Sequence, residues 1–478
     1  MGSLLAFVAF IFSICCAGVN AIPTITAVGS KFFTSEGNQF YIKGVAYQLV
    51  EDDPLANTPQ CQLDASLMKQ LGANSIRVYH VDPSADHSGC MNAFAQNNIY
   101  VWVDMDSFKT YIQFSYKAQD GVPSWTQNKS DSYRAVMDNF QQYDNTAGFF
   151  VGNEVLNSVA DSAAAPYLLS AAVDLKNYRD AKGYRKIPIG YSATDTANLR
   201  PMLQDYVVCR PNVTERLDFY ALNSYEWCGS SPTFNTSGYF GLQESAEGYA
   251  IPIFFSEDGC NTVPPRTFND QAAIFGPDMV DTWSGAIIYE WIQETNNYGL
   301  VTYGPPGGAN QGSVVVDGFT RQGTPTPVQP DFSNLAAQWS TLTPTGVMSA
   351  AYTPSASVPA CPTSTAGGWT VDPSAPLPTL GAVGVTPGMP SGVPQGSITI
   401  MSTSSAFSAS QNSSTYRSTV SSSSATGAGS TTSGAAASAT SKGAAGRVGP
   451  GPILANNAGL MGTVIALLAV GAGVVFWL

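Results

Sequence analysis

A closed (β/α)8 TIM barrel, an α/β fold, followed by a disordered Ser/Thr-rich tail is the fold class that this 478-residue sequence predicts. Three observations carry the expectation. Between Ile22 and Cys361, short apolar runs alternate with longer, helix-compatible segments. Polar, acidic and aromatic residues recur where those runs end. Past Cys361 the composition changes abruptly to Ser, Thr, Ala, Gly and Pro.

The N-terminal segment is set aside first. An apolar run from Leu4 to Cys16 precedes Val19-Asn20-Ala21, with small residues where signal peptidase needs them. Residues 1–21 therefore read as a signal peptide; an uncleaved anchor is the alternative, for which the run is short. Next come eight apolar runs: Phe40–Tyr47, Asn74–Tyr79, Ile99–Asp104, Gly148–Glu154, Ile187–Tyr191, Leu217–Tyr225, Ile251–Glu257 and Gly285–Trp291. Several, such as Ile251 to Phe255, are apolar without alternation, as strands buried on both faces must be. Segments such as Leu63–Leu71, Ser130–Asp144, Ala160–Ala181 and Thr267–Val280 suit the intervening helices. A doubly wound open sheet would use the same elements. It gives no reason for polar residues at so many strand ends, and no glycine-rich dinucleotide turn is present.

From residue 362 to 455 the chain is too poor in apolar residues to offset its ordering entropy. Ser/Thr richness with Pro suits an O-glycosylated stalk. Residues 456–478 form an apolar tail, preceded by a spacer and by the small residues Gly443-Ala444-Ala445-Gly446. Together these signal a glycosylphosphatidylinositol (GPI) anchor, with Gly443 or Ala444 as the attachment site. A tail-anchored helix is the alternative. The expected location is the cell surface, on the outer leaflet of the plasma membrane or in the cell wall.

Net charge is −13 and only 12% of residues are charged. A nucleic acid would need a basic face, so that partner is excluded. A sparsely charged, aromatic-rich surface suits a neutral polymer such as a polysaccharide, although an acidic secreted protein of any kind shares the charge. Without the signal peptide six cysteines remain: Cys61, Cys90, Cys209, Cys228, Cys260 and Cys361. An even number in a secreted chain implies disulfides, and six cysteines allow about 15 pairings. Sequons at Asn128, Asn212, Asn235 and Asn412 agree with the secretory route. No CxxC pair or His cluster suggests a metal, and no cofactor is expected. His80 and His87 read as solvated loop residues.

In a barrel of this kind, chemistry sits at the C-terminal ends of the strands. Those ends supply Tyr47-Gln48, Arg77, Tyr79, Asp104, Asn153-Glu154, Asn223, Tyr225, Glu257 and Tyr289-Glu290. Glu154 and Glu257 end the fourth and seventh runs, across the mouth from each other. Cleaving a glycosidic bond requires a proton on the departing oxygen and a carboxylate at the anomeric carbon. Two converging glutamates meet both needs, with carboxyls expected about 5–5.5 Å apart for a retaining mechanism. A lone strand-end glutamate is more often a surface or salt-bridged residue. The pair, one preceded by Asn153, favours catalysis. Asp104, Glu226 and Glu290 are competing carboxylates. Arg77 is expected to pair with a carboxylate, Glu257 being one candidate. Tyr47, Tyr79, Tyr225, Trp227, Tyr289 and Trp291 could stack on sugars or belong to the core.

All of these residues but Asp104 lie in Gly44-Val-Ala-Tyr-Gln48, Asn74-Ser-Ile-Arg-Val-Tyr79, Gly152-Asn-Glu154, Asn223-Ser-Tyr-Glu-Trp-Cys228, Phe255-Ser-Glu-Asp-Gly-Cys260 and the segment from Tyr289 to Val301. In these motifs residues 22–361 resemble the β-1,3-glucanosyltransferases of glycoside hydrolase family 72, fungal cell-wall remodelling enzymes. The resemblance implies Glu154 as acid/base and Glu257 as nucleophile. It implies that Gln48, Tyr79, Asp104, Asn153, Tyr225 and Tyr289 shape donor and acceptor glucan subsites, and that Cys61–Cys90, Cys209–Cys361 and Cys228–Cys260 pair. Two departures stand out. Where the family often has Ile-Asn-Arg, this chain reads Tyr111-Ile-Gln-Phe-Ser115, and no cysteine-rich carbohydrate-binding module follows Cys361. A monomeric transglycosylase is expected. A plain endo-β-1,3-glucanase and a non-catalytic glucan-binding wall protein are the alternatives.

Overall fold

The computed structural model describes residues 22–50, 52–106, 110–113, 122–304 and 314–384. The expected signal peptide, Asn412, Gly443, Ala444, the apolar tail and most of the expected stalk lie outside them.

Eight parallel strands close into a barrel. They are β1 (Ile42–Ala46), β2 (Ser75–Val78), β3 (Tyr100–Asp104), β4 (Thr146–Asn153), β5 (Ile189–Thr194), β6 (Phe219–Asn223), β7 (Ile253–Asp258) and β8 (Trp283–Ile288). Each pairs with its neighbour in sequence, and β8 pairs back onto β1. Every expected apolar run overlaps one of these strands, four of them with ends displaced by a few residues. The helices are α1 (Thr58–Leu71), α2 (Ser88–Gln96), α3 (Gln127–Phe140), α4 (Ala165–Ala181), α5 (Arg200–Cys209), α6 (Tyr239–Ala246), α7 (Asp270–Ile274) and α8 (Asp331–Thr341). Their ends follow local chemistry. At the start of α1, Asn57 Oδ1 accepts from Gln60 N at 3.3 Å, and α1 stops at Gly72, whose φ of 93° favours glycine.

An antiparallel hairpin, Ile25–Val28 with Lys31–Thr34, precedes the barrel. Its Phe32 lies 5.2 Å from Trp102, 5.9 Å from Phe254 and 6.1 Å from Phe219, ring to ring, and plugs the barrel floor. The floor leaves no room for a side chain at Gly148, where a Cβ would sit 2.6 Å from the Trp102 ring. The end filled by these rings cannot admit a polymer, so the open end is the one where the strands finish.

Disulfides join Cys61–Cys90, Cys209–Cys361 and Cys228–Cys260. The last ties the loop after β6 to the end of β7. Packing does not stop at Cys361, where composition draws the boundary. The chain runs on to Gly384 against the barrel: Trp369 and Val371 are buried, and Ala382–Val383 pair with Ser124–Trp125. A few well-placed apolar side chains anchor this stretch although its average composition is poor. The histidine expectation also needs correction. His87 is buried, with Nε2 2.7 Å from Asp53 Oδ2 and Nδ1 2.9 Å from Asn139 Oδ1. Burial lowers its pKa, but these partners outweigh burial and raise it overall.

Candidate active site

The site is built on a polar layer at the top of the barrel interior. Arg77, on β2, is fully buried. Its Nε and Nη2 donate to the two oxygens of Asp104 at 3.0 and 2.8 Å. Nη2 also donates to Asn153 Oδ1 at 2.9 Å, and Nη1 lies 3.5 Å from Glu257 Oε1. The guanidinium stacks between Tyr79 and Phe150, 4.3 and 4.5 Å from the ring centroids. A rigid planar fork with five donors suits this junction; a lysine would not span it. Asp104 is the main partner of Arg77, and Glu257 takes its third contact.

Glu257 stands at the end of β7, where the pairing with β6 shifts register between Phe255 and Glu257. Such an irregularity re-aims a side chain that a regular strand would direct elsewhere. Its carboxylate accepts from Tyr79 Oη at 3.0 Å and from Tyr225 Oη at 2.8 Å. Glu154 follows β4, whose pairing with β5 is irregular between Phe150 and Asn153. Its φ is +48°, a left-handed backbone that a non-glycine residue adopts only when its surroundings enforce it. Its N–H donates to Ser192 O at 2.9 Å, and Asn157 Nδ2 donates to its carbonyl at 3.0 Å. Its carboxylate accepts from Asn223 Nδ2 at 3.0 Å.

The two acids differ electrostatically. Burial raises both above the usual carboxylate range. Burial pushes Glu257 up to about 7, with the Arg77 cation opposing and the nearby Glu154 carboxylate adding to it. That repulsion is shared by the pair, so the donors decide which acid ionises first. Glu257 has two phenol donors and a guanidinium; Glu154 has one neutral amide. Glu257 therefore has more partners that favour its ionised form than Glu154 has. A carboxylate beside a carboxylic acid is the arrangement that general-acid and nucleophilic chemistry both require.

Asn153 lies between them. Its Oδ1 meets Arg77, Asn223 Nδ2 at 3.0 Å and Ser192 Oγ at 2.9 Å. These partners fix the amide so that Oδ1 faces the protein and Nδ2 is left for a ligand. Ser192 Oγ is also 2.8 Å from Ser256 Oγ, which donates to Asn223 Oδ1 at 2.8 Å. Gln48 Nε2 donates to Tyr289 Oη at 2.8 Å and also to Glu290. Tyr289, Tyr225 and Tyr298 form an aromatic cluster, with centroids 5.3 to 6.4 Å apart.

The structure therefore gathers Gln48, Tyr79, Asn153, Glu154, Tyr225, Glu257 and Tyr289 into one network. Asp104 lies deeper: it is 1% exposed, and both its oxygens are taken by Arg77. Tyr47 and Trp291 belong to the core. Tyr47 donates to Asp64 at 2.8 Å, and Trp291 donates to Tyr303 at 2.9 Å. Trp227 is buried, 5.4 Å from the Tyr239 ring. Glu290 is fully buried and accepts from Asn296 as well as Gln48. Burial and Glu294 push its pKa to about 8, so it is held as a neutral acid below that range. Sequence reasoning gave no part to Ser192, Ser256 or Tyr298. For Ser192 a signal existed: Gly190, Ser192 and Thr194 continue an alternation that the turn-like Ser-Ala-Thr disguised. Among the described residues no group of three His, Cys, Asp or Glu could hold a metal ion.

Comparison with known proteins follows the same outline. Residues 14–313 match the glucanosyltransferase model of glycoside hydrolase family 72. The chain is 39% identical over 366 residues to the 1,3-beta-glucanosyltransferase gas2 of Schizosaccharomyces pombe, which takes in 73% of this chain and 74% of that protein. It is 37% identical over 347 residues to the 1,3-beta-glucanosyltransferase GAS2 of Saccharomyces cerevisiae, covering 69% of this chain and 58% of the other. A point mutant of Saccharomyces cerevisiae Gas2p, solved in complex with laminaritetraose and laminaripentaose, superposes with a TM-score of 0.65 at 36% identity and covers 74% of each chain.

Proposed function

The chain belongs to the glucanosyltransferases of glycoside hydrolase family 72, and from that premise we propose that it is a β-1,3-glucanosyltransferase acting by retaining double displacement. The observation that carries the proposal is the unequal pair: Glu257 held by two phenols and a guanidinium, Glu154 by a single amide.

In the first step a Glu257 oxygen attacks the anomeric carbon of an internal β-1,3 linkage. The C–O bond to the departing chain breaks, and Glu154 delivers its proton to the departing oxygen. The product is a glycosyl ester on Glu257 with inverted configuration. In the second step Glu154, now ionised, removes the proton from an acceptor hydroxyl. That oxygen attacks the same carbon, the ester bond breaks, and Glu257 regains its charge. Two inversions restore the β configuration. This requires the carboxyls to stand about 5–5.5 Å apart. Asn153 Nδ2 would donate to the sugar 2-hydroxyl, and the tyrosine cluster offers flat faces for pyranose rings. Water is present at roughly 55 M, so transfer depends on a cleft that positions the acceptor with a high effective molarity. We further place the enzyme at the cell surface, secreted through the signal peptide and held by a GPI anchor, with glycans on the exposed Asn128, Asn212 and Asn235. Among the described residues no helix is long and apolar enough to cross a membrane.

Incubation with a reduced laminari-oligosaccharide tests the reaction class. Products longer than the substrate are expected. Only shorter ones would replace the proposal with an endo-glucanase, and binding without products would leave a glucan-binding wall protein.

The pH dependence has a defined sign. The active form has Glu257 ionised and Glu154 protonated, so kcat/KM follows a bell. Tyr225→Phe removes a donor that favours the carboxylate, and the folded pKa of Glu257 rises. The acidic limb should then move to higher pH by about one unit, the value of a hydrogen bond to a charged group. An acidic limb that stays in place in this variant would remove Tyr225 from the account.

A further inference from the structure

Glu154 holds an uncommon backbone conformation, and a hydrogen-bonded turn follows it. Asp161 Oδ2 accepts from Asn157 N at 3.2 Å and from Ser158 N and Ser158 Oγ at 2.9 Å. Asn157 in turn donates to the Glu154 carbonyl. Asp161 Oδ1 accepts from Gln113 Nε2 at 3.2 Å. The next residue, Ser162, is fully buried, and its partner comes from far along the chain. Its Oγ accepts from Thr370 N at 3.1 Å and lies 2.8 Å from Thr370 Oγ1.

Thr370 belongs to the stretch between Cys361 and Gly384, which crosses the outside of the barrel. Trp369 is 1% exposed, with its ring 5.5 Å from Tyr206. Ser170 donates to Pro378 O at 2.8 Å, and Arg210 Nη1 donates to Pro373 O at 2.9 Å. Beyond these anchors, Gly381 N donates to Trp125 O at 2.8 Å and Gly384 N to Pro123 O at 2.7 Å. Ser124 N in turn donates to Ile112 O at 3.0 Å, beside Gln113. The stretch thus reaches the Asp161 turn twice, directly through Ser162 and indirectly through Gln113.

We infer that Trp369–Val383 is a positioning strap for the acid/base: by clamping Ser162 and the segment before α3, it holds the turn that fixes the left-handed backbone of Glu154. The strap touches no reacting atom. It acts through Asp161 and Asn157, and its contribution is to keep one carboxyl on the departing oxygen. The inference rests on the acid/base role proposed above for Glu154.

The test uses the full secreted chain and two donors. A laminari-oligosaccharide needs its leaving group protonated. β-Laminaribiosyl fluoride does not, and with azide as acceptor the second step needs no base either. Trp369→Ala should lower turnover of the oligosaccharide roughly tenfold, the order expected for a misplaced catalytic group, with KM altered less than about twofold. Fluoride release with azide should change less than about twofold, since general-acid help is not used there. If Trp369→Ala does not accumulate as folded protein, Ser162→Ala removes the same clamp at the turn and should show the same split at smaller size. Equal loss on both donors, or no loss on either, overturns the strap. Glu154→Gln is the control. If it lacks the split while the unaltered chain is active, the acid/base reading itself has failed; if only the strap variants lack it, the inference alone has.

Discussion

Glu257→Gln loses transfer and hydrolysis together, by on the order of 10⁴-fold or more, as expected when the group that forms the covalent bond is removed. Stability should hardly change. Glutamine has the same shape, and its carbonyl can keep one of the two phenol donors, while the other phenol can accept from the new amide. Arg77 retains Asp104 and Asn153. A buried charge is also removed, and with it the cost of keeping that charge out of water. Product sizing and new reducing ends measure the activity, and a thermal melt measures the fold. Turnover above about one per cent in a folded variant would contradict the role, and so would a melt lowered by tens of degrees.

Glu154→Gln acts selectively. Removing the general acid should cost roughly 10³-fold on oligosaccharides, within the usual range for such catalysis. A fluoride donor departs unaided, so formation of the glycosyl ester should survive. The ester then waits for a nucleophile that needs no base. Azide should restore turnover and yield a β-glycosyl azide, and the β configuration would report that attack came through the ester. An α-azide would mean direct displacement and a single-step mechanism. No rescue, with slow reaction on both donors, would move Glu154 out of the acid/base role.

Much of this architecture is visible in the chain before folding is considered. Strands buried on both faces, such as Tyr100–Asp104, are apolar over most of their length, and that requirement marks the eight in the sequence. The two glutamates are legible for a related reason: a charged residue ending an apolar run has nowhere to go but the open end of the barrel. The partners of those charges are harder to read. Asp104 looks like a ligand group, but the buried guanidinium of Arg77 demands a bidentate counter-charge, and Asp104 meets it with both oxygens. Ser192 on β5 and Ser256 on β7 meet across the barrel interior, beside pairings that shift register, and no local pattern encodes a slip. Tyr47 and Trp291 show the converse. Each ends an apolar run, and the buried Asp64–Tyr303 pair draws them into the core. The strap is the least legible part, because Trp369 anchors a segment whose average composition is that of a linker.

Trapping the covalent intermediate tests the central claim most directly. A 2-deoxy-2-fluoro laminaribioside with a good leaving group slows both steps by destabilising the oxocarbenium-like transition state, but lets the ester form and accumulate. The account predicts one added glycosyl unit per protein, mapped to the peptide that carries Glu257. A label on Glu154 or Glu290, or unaltered transfer of glucan with no label anywhere, would contradict it.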